Sequence, residues 1–248
     1  MNGRTTIAVL AIAAFSTGTL VGCSVSGNGP WLDRSDLTGE TTTQSRSLDG
    51  FTGIALSGNA TLTVTQGDSF SVAVTTDSGL QEHIDTSVRG STLEIEQHYS
   101  IAGRSPDVSV AVTLPRLDSV DLSGSSATTI EGVRGESLHV SSSGSSDIHI
   151  DAAVKALAVD VSGSGDIQLM GTAGSADIAI SGAGTVSGAA LNTTTANVSV
   201  SGVGDVTLSV AKTLDVDLSG AGDITYYGDP EVRSEVSGLG RVHRAESS

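Results

Sequence analysis

The chain has 248 residues and a formal charge of −16, with 28 acidic against 12 basic residues and only 3% aromatics. Such a field repels phosphate backbones, and Lys155 and Lys212 are the only Lys or Arg between Val140 and Val232, so a nucleic-acid-binding stripe is excluded. Glycine and proline, 31 and 4 residues, fall well short of a low-complexity composition, and the glycines recur between runs of Val, Ile, Leu and Thr, where they punctuate strands.

Met1 to Thr6 carries one positive charge and Ile7 to Phe15 is apolar, which reads as the opening of a secretory signal too short to span a membrane. Leu20-Val-Gly-Cys23 follows and resembles the bacterial lipoprotein lipobox. The resemblance implies removal of residues 1–22 and a diacylglycerol thioether on Cys23, the first mature residue. Cys23 is the only cysteine, so no intramolecular disulfide explains it; the plainer alternative is an ordinary signal followed by a stray thiol. Two acyl chains would anchor the chain without a transmembrane helix. Ser24 resembles the pattern sorted to an outer membrane in cells that have one. Residues 23–45 are polar and without period, and are expected to be the acylated Cys and a flexible tether. Trp31 lies in this tether, either at the membrane interface or against the domain.

The domain is expected over 46–245, with a less regular part over 46–118 and regular repeats over 119–245. In the first part, Ile54 to Leu56, Thr61 to Val64, Phe70 to Val74, Leu93 to Ile95 and Val108 to Leu114 alternate with period two and end at Gly, Asp or Pro. Asp77 to His83 is the one candidate for a helical turn, and Pro115 should stop its strand.

From Leu117 onward one phrase recurs seven times, a short alternating run followed by Ser-Gly-x-Gly or a close relative. Its serines are Ser123, Ser143, Ser162, Ser181, Ser201, Ser219 and Ser237, at intervals of 20, 19, 19, 20, 18 and 18 residues. Only Ser187 to Leu191 departs, toward an Ala-rich sequence. In Leu157-Ala-Val-Asp-Val-Ser-Gly-Ser-Gly-Asp-Ile-Gln-Leu169, Leu157, Val159 and Val161 share one side of a strand, and Ile167 and Leu169 resume it after the glycine turn. One copy cannot bury that edge alone. Copies stacked ~4.8 Å apart would make continuous aliphatic ladders. An antiparallel sandwich would also use short alternating runs, but it has no need of identical inward positions every 18–20 residues. The fold class predicted is all-β, a right-handed parallel β-helix or solenoid built on repeats of about 19 residues. Its open ends should be protected, by the 46–118 part at one end and by Tyr226-Tyr-Gly-Asp-Pro230 with the charged tail from Arg241 at the other.

Arg46-Ser-Leu48 with Phe51 and Ile54, Thr113-Leu-Pro-x-Leu117, the repeated Ser-Gly-x-Gly-Asp-Ile and Tyr227-Gly-Asp-Pro230 together resemble the bacterial head GIN family, described as an autotransporter adhesin domain of unknown function. The resemblance covers about Arg46 to His243. It implies a β-helix-like solenoid on an envelope protein with an adhesive role, and it brings no catalytic residues.

Two outward columns carry candidate chemistry. The residue after each turn is Asp147, Asp166, Thr185, Asp205, Asp223 and Arg241, and stacked carboxylates together with turn carbonyls offer oxygen ligands for calcium. The bland alternative is that Asp favours turn exits because it bonds nearby backbone N–H groups, and Thr185 interrupting the column supports it. Two residues before each Ser stand Asp121, Ser141, Asp160, Ala179, Ser199, Asp217 and Glu235, a polar face that is either solvated surface or a hydrogen-bonding face for a glycan. The repeats offer a sugar only Tyr226 and Tyr227, which read better as an end cap. No basic partner for a lyase stands among the rungs, and no His pair has metal spacing, so no enzyme is expected. The expected partners are the membrane, through the anchor, and an envelope polysaccharide or protein on the extracytoplasmic side.

Overall fold

The computed structural model describes residues 31–32, 36–101 and 106–245. Over these residues the alternating runs become a parallel β-solenoid of about six turns at roughly 19-residue spacing. Its body is made of β3 (Gly53–Gln66), β9 (Ser119–Ser142), β10 (Ser145–Val161), β11 (Ser164–Ile180), β12 (Ala183–Val200) and β13 (Val206–Leu218), each hydrogen-bonded in parallel to the next. The remaining strands, in chain order, are β1 (Trp31–Leu32), β2 (Thr41–Arg46), β4 (Ser71–Asp77), β5 (Ile84–Arg89), β6 (Thr92–Gln97), β7 (Ser100–Ile101), β8 (Ser109–Leu114), β14 (Ala221–Tyr227), β15 (Glu231–Val236) and β16 (Leu239–Arg244).

The serine intervals are the register. Ser145 pairs with Ser125, 20 residues earlier, while Val161 pairs with Ser142, 19 earlier; the slip lies between Ile150 and Ala152, where Gly132 of the neighbouring strand supplies the extra residue with φ +68°. Between β10 and β11 the offset stays at 19 throughout. The Ala-rich departure at Ser187 to Leu191 is where β12 bulges against both neighbours, the slips falling between Gln168 and Met170 of β11 below and between Leu208 and Ser209 of β13 above. Length variation is thus absorbed at bulges, and the Ser-Gly corners stay aligned.

That alignment explains why the corner residue is glycine. A methyl group on Gly124, Gly144, Gly163, Gly182, Gly202, Gly220 or Gly238 would overlap the carbonyl oxygen of the glycine one coil earlier. No side chain fits where successive corners stack this closely. The serine beside it ties the coils as well: Ser143 and Ser162 donate their hydroxyls to the carbonyl oxygens of Leu122 and Ser142, both at 3.4 Å. Inside, each coil adds to aliphatic ladders such as Val120, Val140, Val159, Ile178, Val198 and Val216, all buried. Polar residues break in at a few points, as at Thr128, buried between Leu62 and Ile148, and at Ser142, which stands in the ladder of Leu122, Val161 and Ile180 with a buried hydroxyl that has no hydrogen-bond partner.

Three expectations are corrected. The 46–118 part is more than a cap, because β3 is itself a coil of the stack: Ser57 pairs with Ser123 and their hydroxyls lie 2.8 Å apart. The excursion between them builds the cap. β6 lies on the first half of β3 with β5 antiparallel outside it, and β8, β4 and β2 continue outward from the second half. Phe51 and Phe70 pack there with ring centroids 5.0 Å apart, and the turn expected near Asp77 is a 3-10 helix, Ser78–His83.

The second correction concerns the tether. Thr41–Arg46 is strand β2, paired antiparallel with β4, and Trp31–Leu32 pairs with Ser100–Ile101, so ordered pairing begins well before residue 46. The alternation signal missed β2 because an edge strand with mostly exposed residues has no apolar period. Third, Tyr226 to Pro230 is not the end of the stack. Gly228, at φ +101°, turns the chain at a corner, and β15 and β16 add one further coil on β13 and β14. On that coil Val236 and Leu239 are 44% and 81% exposed, with no further coil over them among the described residues.

Candidate binding surfaces

The column after the turns is broken at Thr185 and chemically modest. Asp205 accepts the backbone N–H of Asp223 at 2.7 Å, Asp223 accepts that of Arg241 at 3.0 Å, and Asp147 faces the N–H of Asp166 at 3.4 Å. Each of these carboxylates caps a backbone donor one coil further on, a cross-coil version of the turn-exit role. The Arg241 guanidinium bonds Asp223 at 3.2 Å. That bond first, then the charges of Arg241 and His243 and the Arg241 N–H, outweighs desolvation and holds the Asp223 carboxyl below its usual range. Among the described residues no three of His, Cys, Asp and Glu converge on a point that could hold a metal ion.

The opposite column, two residues before each corner serine, shares its face with a second outward column that sequence reasoning passed over: His139, Ala158, Asp177, Asn197, Asp215 and Arg233. Its signal was the same alternation read two positions earlier. The two columns border a groove of about 690 Å³ across β10 to β15, lined by Asp160, Asp177, Asn197, Ser199, Asp215 and Asp217, among others. Asn197 donates to Asp177 at 2.6 Å, Arg233 stands 3.8 Å from Asp215, and His139 stands 3.6 Å from Asp160. Small residues, Ala158 and Ala179, leave the floor low between the charged positions.

A second groove of about 430 Å³ sits at a corner of the N-terminal coils, where Ser125, Ser145 and Ser164 line up beside Asn59, Asp107 and Asp147. Behind them the Ser126 hydroxyl donates to that of the buried Ser146 at 3.0 Å. In later coils this inner position is glycine, as at Gly165 and Gly184. The remaining four histidines are scattered: His98 lies 3.3 Å from both Asp85 and Glu96, His83 lies beside Glu82, His149 is exposed on β10, and His243 lies beside Thr225. Cys23 lies outside the described residues. Among the described residues no helix is long and apolar enough to cross a membrane.

The most heavily bonded carboxylate among the described residues entered the sequence reading only as the start of a candidate turn. Asp77, 8% exposed, caps the 3-10 helix through Gly79 N–H and also accepts bonds from Thr38 and Gly39. Desolvation pushes its carboxyl up, but the N–H donors of Thr38, Gly79 and Gly39 and the Thr38 hydroxyl together draw it below the ordinary value.

Residues 50–230 match the family described as "Putative auto-transporter adhesin, head GIN domain". Among solved structures, a "putative adhesin" from Bacteroides fragilis is 21% identical with a TM-score of 0.78, over 86% of this chain and 100% of the other. A second so described, from Parabacteroides distasonis, is 20% identical with a TM-score of 0.72, over 87% and 100%. A "putative lipid binding protein" from the same species is 20% identical with a TM-score of 0.68, over 88% and 100%. At these identities the likeness is one of fold. No curated protein matches the chain.

Proposed function

The chain belongs to the head GIN domain family, and from that membership we propose that it is a non-catalytic, lipid-anchored protein of the cell envelope whose coil stack is a binding and adhesion surface. One observation carries the reading: the groove along Asp160, Asp177, Asn197, Ser199, Asp215 and Asp217 repeats polar groups from coil to coil on a rigid support. Groups repeating every ~4.8 Å suit a ligand that is itself repetitive, such as an envelope polysaccharide met through many weak hydrogen bonds. Acylation at Cys23 would fix the capped N-terminal end toward the membrane and display the coils outward. The adhesin description carried by the similar structures agrees with this role.

The test is cosedimentation of the mature chain with isolated envelope polysaccharide, with total envelope protein as comparison. Saturable binding to polysaccharide is expected, weakened several-fold in a double Asp160→Ala, Asp217→Ala variant whose melting temperature is unchanged. The exposed Val236 and Leu239 of the last coil favour a second reading, a structural or regulatory component that recognises another envelope protein through its open end. Binding confined to the protein fraction and lost in Leu239→Ser would support that instead, and binding to neither fraction would defeat both. The anchor has its own assay. Cys23→Ser should shift the protein from the membrane to the soluble fraction, and retention on the membrane would refute acylation there.

A further inference from the structure

We propose that the junction at Asp77 is a mechanical latch. It fastens the N-terminal strap, residues 36–46, to the domain when the chain is pulled from its N-terminal side, and its opening lets the strap unzip while the coil stack stays folded. The direction of the pull rests on the anchoring proposed above; the latch itself rests on geometry.

Among the described residues strand β2 has a single neighbour, β4, and is the last strand on its side of the sheet. Its residues are mostly exposed, so little apolar burial holds it down. The pairing runs antiparallel from Thr41 opposite Asp77 to Arg46 opposite Val72. Once the two-residue pairing of β1 with β7 has opened, a pull on the entering chain reaches the Thr41 end of β2 before the Arg46 end and opens the ladder one pair at a time, the geometry in which hydrogen bonds resist least.

The latch stands immediately ahead of that end. One oxygen of Asp77 accepts Thr38 N–H at 3.0 Å, the Thr38 hydroxyl at 3.1 Å and Gly79 N–H at 2.9 Å, and the other accepts Gly39 N–H at 2.8 Å. The Thr38 and Ser78 hydroxyls lie 2.6 Å apart, and Ser78 N–H donates to the Glu40 carbonyl at 2.8 Å. Gly39 takes φ +76° in this segment, a backbone conformation that side chains disfavour. A methyl on Gly79 would overlap the Asp36 carbonyl, so the strap lies directly on the 3-10 turn. Bonds to a carboxylate are roughly twice as strong as neutral ones, and here they are strained together instead of in sequence. Behind the latch, buried Gln81 donates to the carbonyls of Thr42 and Val74 at 2.9 and 3.0 Å, while Arg46 donates to the Gln81 carbonyl at 3.1 Å, a weaker catch on the strap itself. Once the strap is free, β4 remains paired to β8 from Ser71 to Thr75, so the cap and the coils behind it have no reason to open.

Release of the strap, residues 36–46, would lengthen the molecule by at most ~40 Å at ~3.5 Å per residue. The experiment holds the full, unprocessed chain between a maleimide-linked handle on Cys23, its only thiol, and a C-terminal handle, and pulls at constant speed. An early step of that length is expected before the much longer release of the coils. Asp77→Ala should cut the force of the early step to half or less and leave the coil-release force unchanged, while Asp217→Asn should alter neither. The proposal falls if wild type shows no separate early step, if Asp77→Ala leaves its force unchanged, or if Asp77→Ala abolishes the coil release as well. Membrane release of Cys23→Ser is read separately, so failure of the anchor and failure of the latch are distinguishable.

Discussion

Replacing Gly182 by alanine should be far more damaging than the same replacement at Gly135. At Gly182 the new methyl would overlap the carbonyl oxygens of Gly163 and Ser162, both backbone atoms that cannot swing aside, whereas a methyl on Gly135 meets nothing within 4 Å. Relief at Gly182 requires two coils to part locally. The bonds at stake join Ser181 N–H to Val161 O at 2.8 Å, Ala183 N–H to Gly163 O at 2.9 Å and Val203 N–H to Gly182 O at 2.9 Å. Losing two or three of these, at a net ~1 kcal/mol each and more where a buried group is stranded, gives a cost of about 2–4 kcal/mol. Gly135→Ala should fall within about 1 kcal/mol of wild type, on the stabilising side if the unfolded chain loses freedom. Urea unfolding followed by far-ultraviolet circular dichroism measures both midpoints. Equal midpoints for the two variants would refute the close-contact explanation of the glycine column.

Other outcomes follow from the carboxylates. Because the folded-state value of Asp77 is depressed, its contribution is complete above the unfolded value near 3.9 and disappears as pH falls through the folded one. Asp77→Asn should therefore lower the melting temperature at pH 7 and narrow its gap to wild type as pH drops below about 4; a constant gap would show that the charge is not what matters. Since Asp205 and Asp223 already accept backbone N–H groups, a chelator should leave the melting temperature unchanged, and a clear fall would restore calcium as a ligand of this column. In the core, Leu218→Ala removes a fully buried side chain between two coils and should cost about 2–5 kcal/mol by the same urea assay.

The coils were legible because a parallel stack must put like residues at like positions. Ser123 to Ser237 read as a ladder from the sequence alone, and their intervals are the pairing offsets of the coils. Ser57-Gly58 is the same signal, but 66 residues of excursion separate it from Ser123 and hide the period. The strap was invisible for a different reason: Thr41–Arg46 buries almost nothing, so the hydrophobic pattern carries no information about it. Asp77 was legible only as the start of a turn, since its donors at Thr38 and Gly39 lie 39 and 38 positions away and leave no local sequence mark. The groove lay between these cases. Asp160 and Asp217 fell in a column that was recognised, while Asp177 and Asp215 needed the second outward position on the same face.

The bulges that absorb 18-, 19- and 20-residue coils without disturbing the Ser-Gly corners also bear on how this molecule can change over generations. A register fixed at one corner and slack elsewhere tolerates gain or loss of a residue at the slack, and equally gain or loss of an entire coil, because the join above and below is always the same. Each such event moves the far end by one strand spacing, ~4.8 Å, and leaves the cap and strap untouched. The length of the stack is therefore heritable and adjustable in whole coils, and relatives with more or fewer Ser-Gly corners should differ in height while keeping the same cross-section.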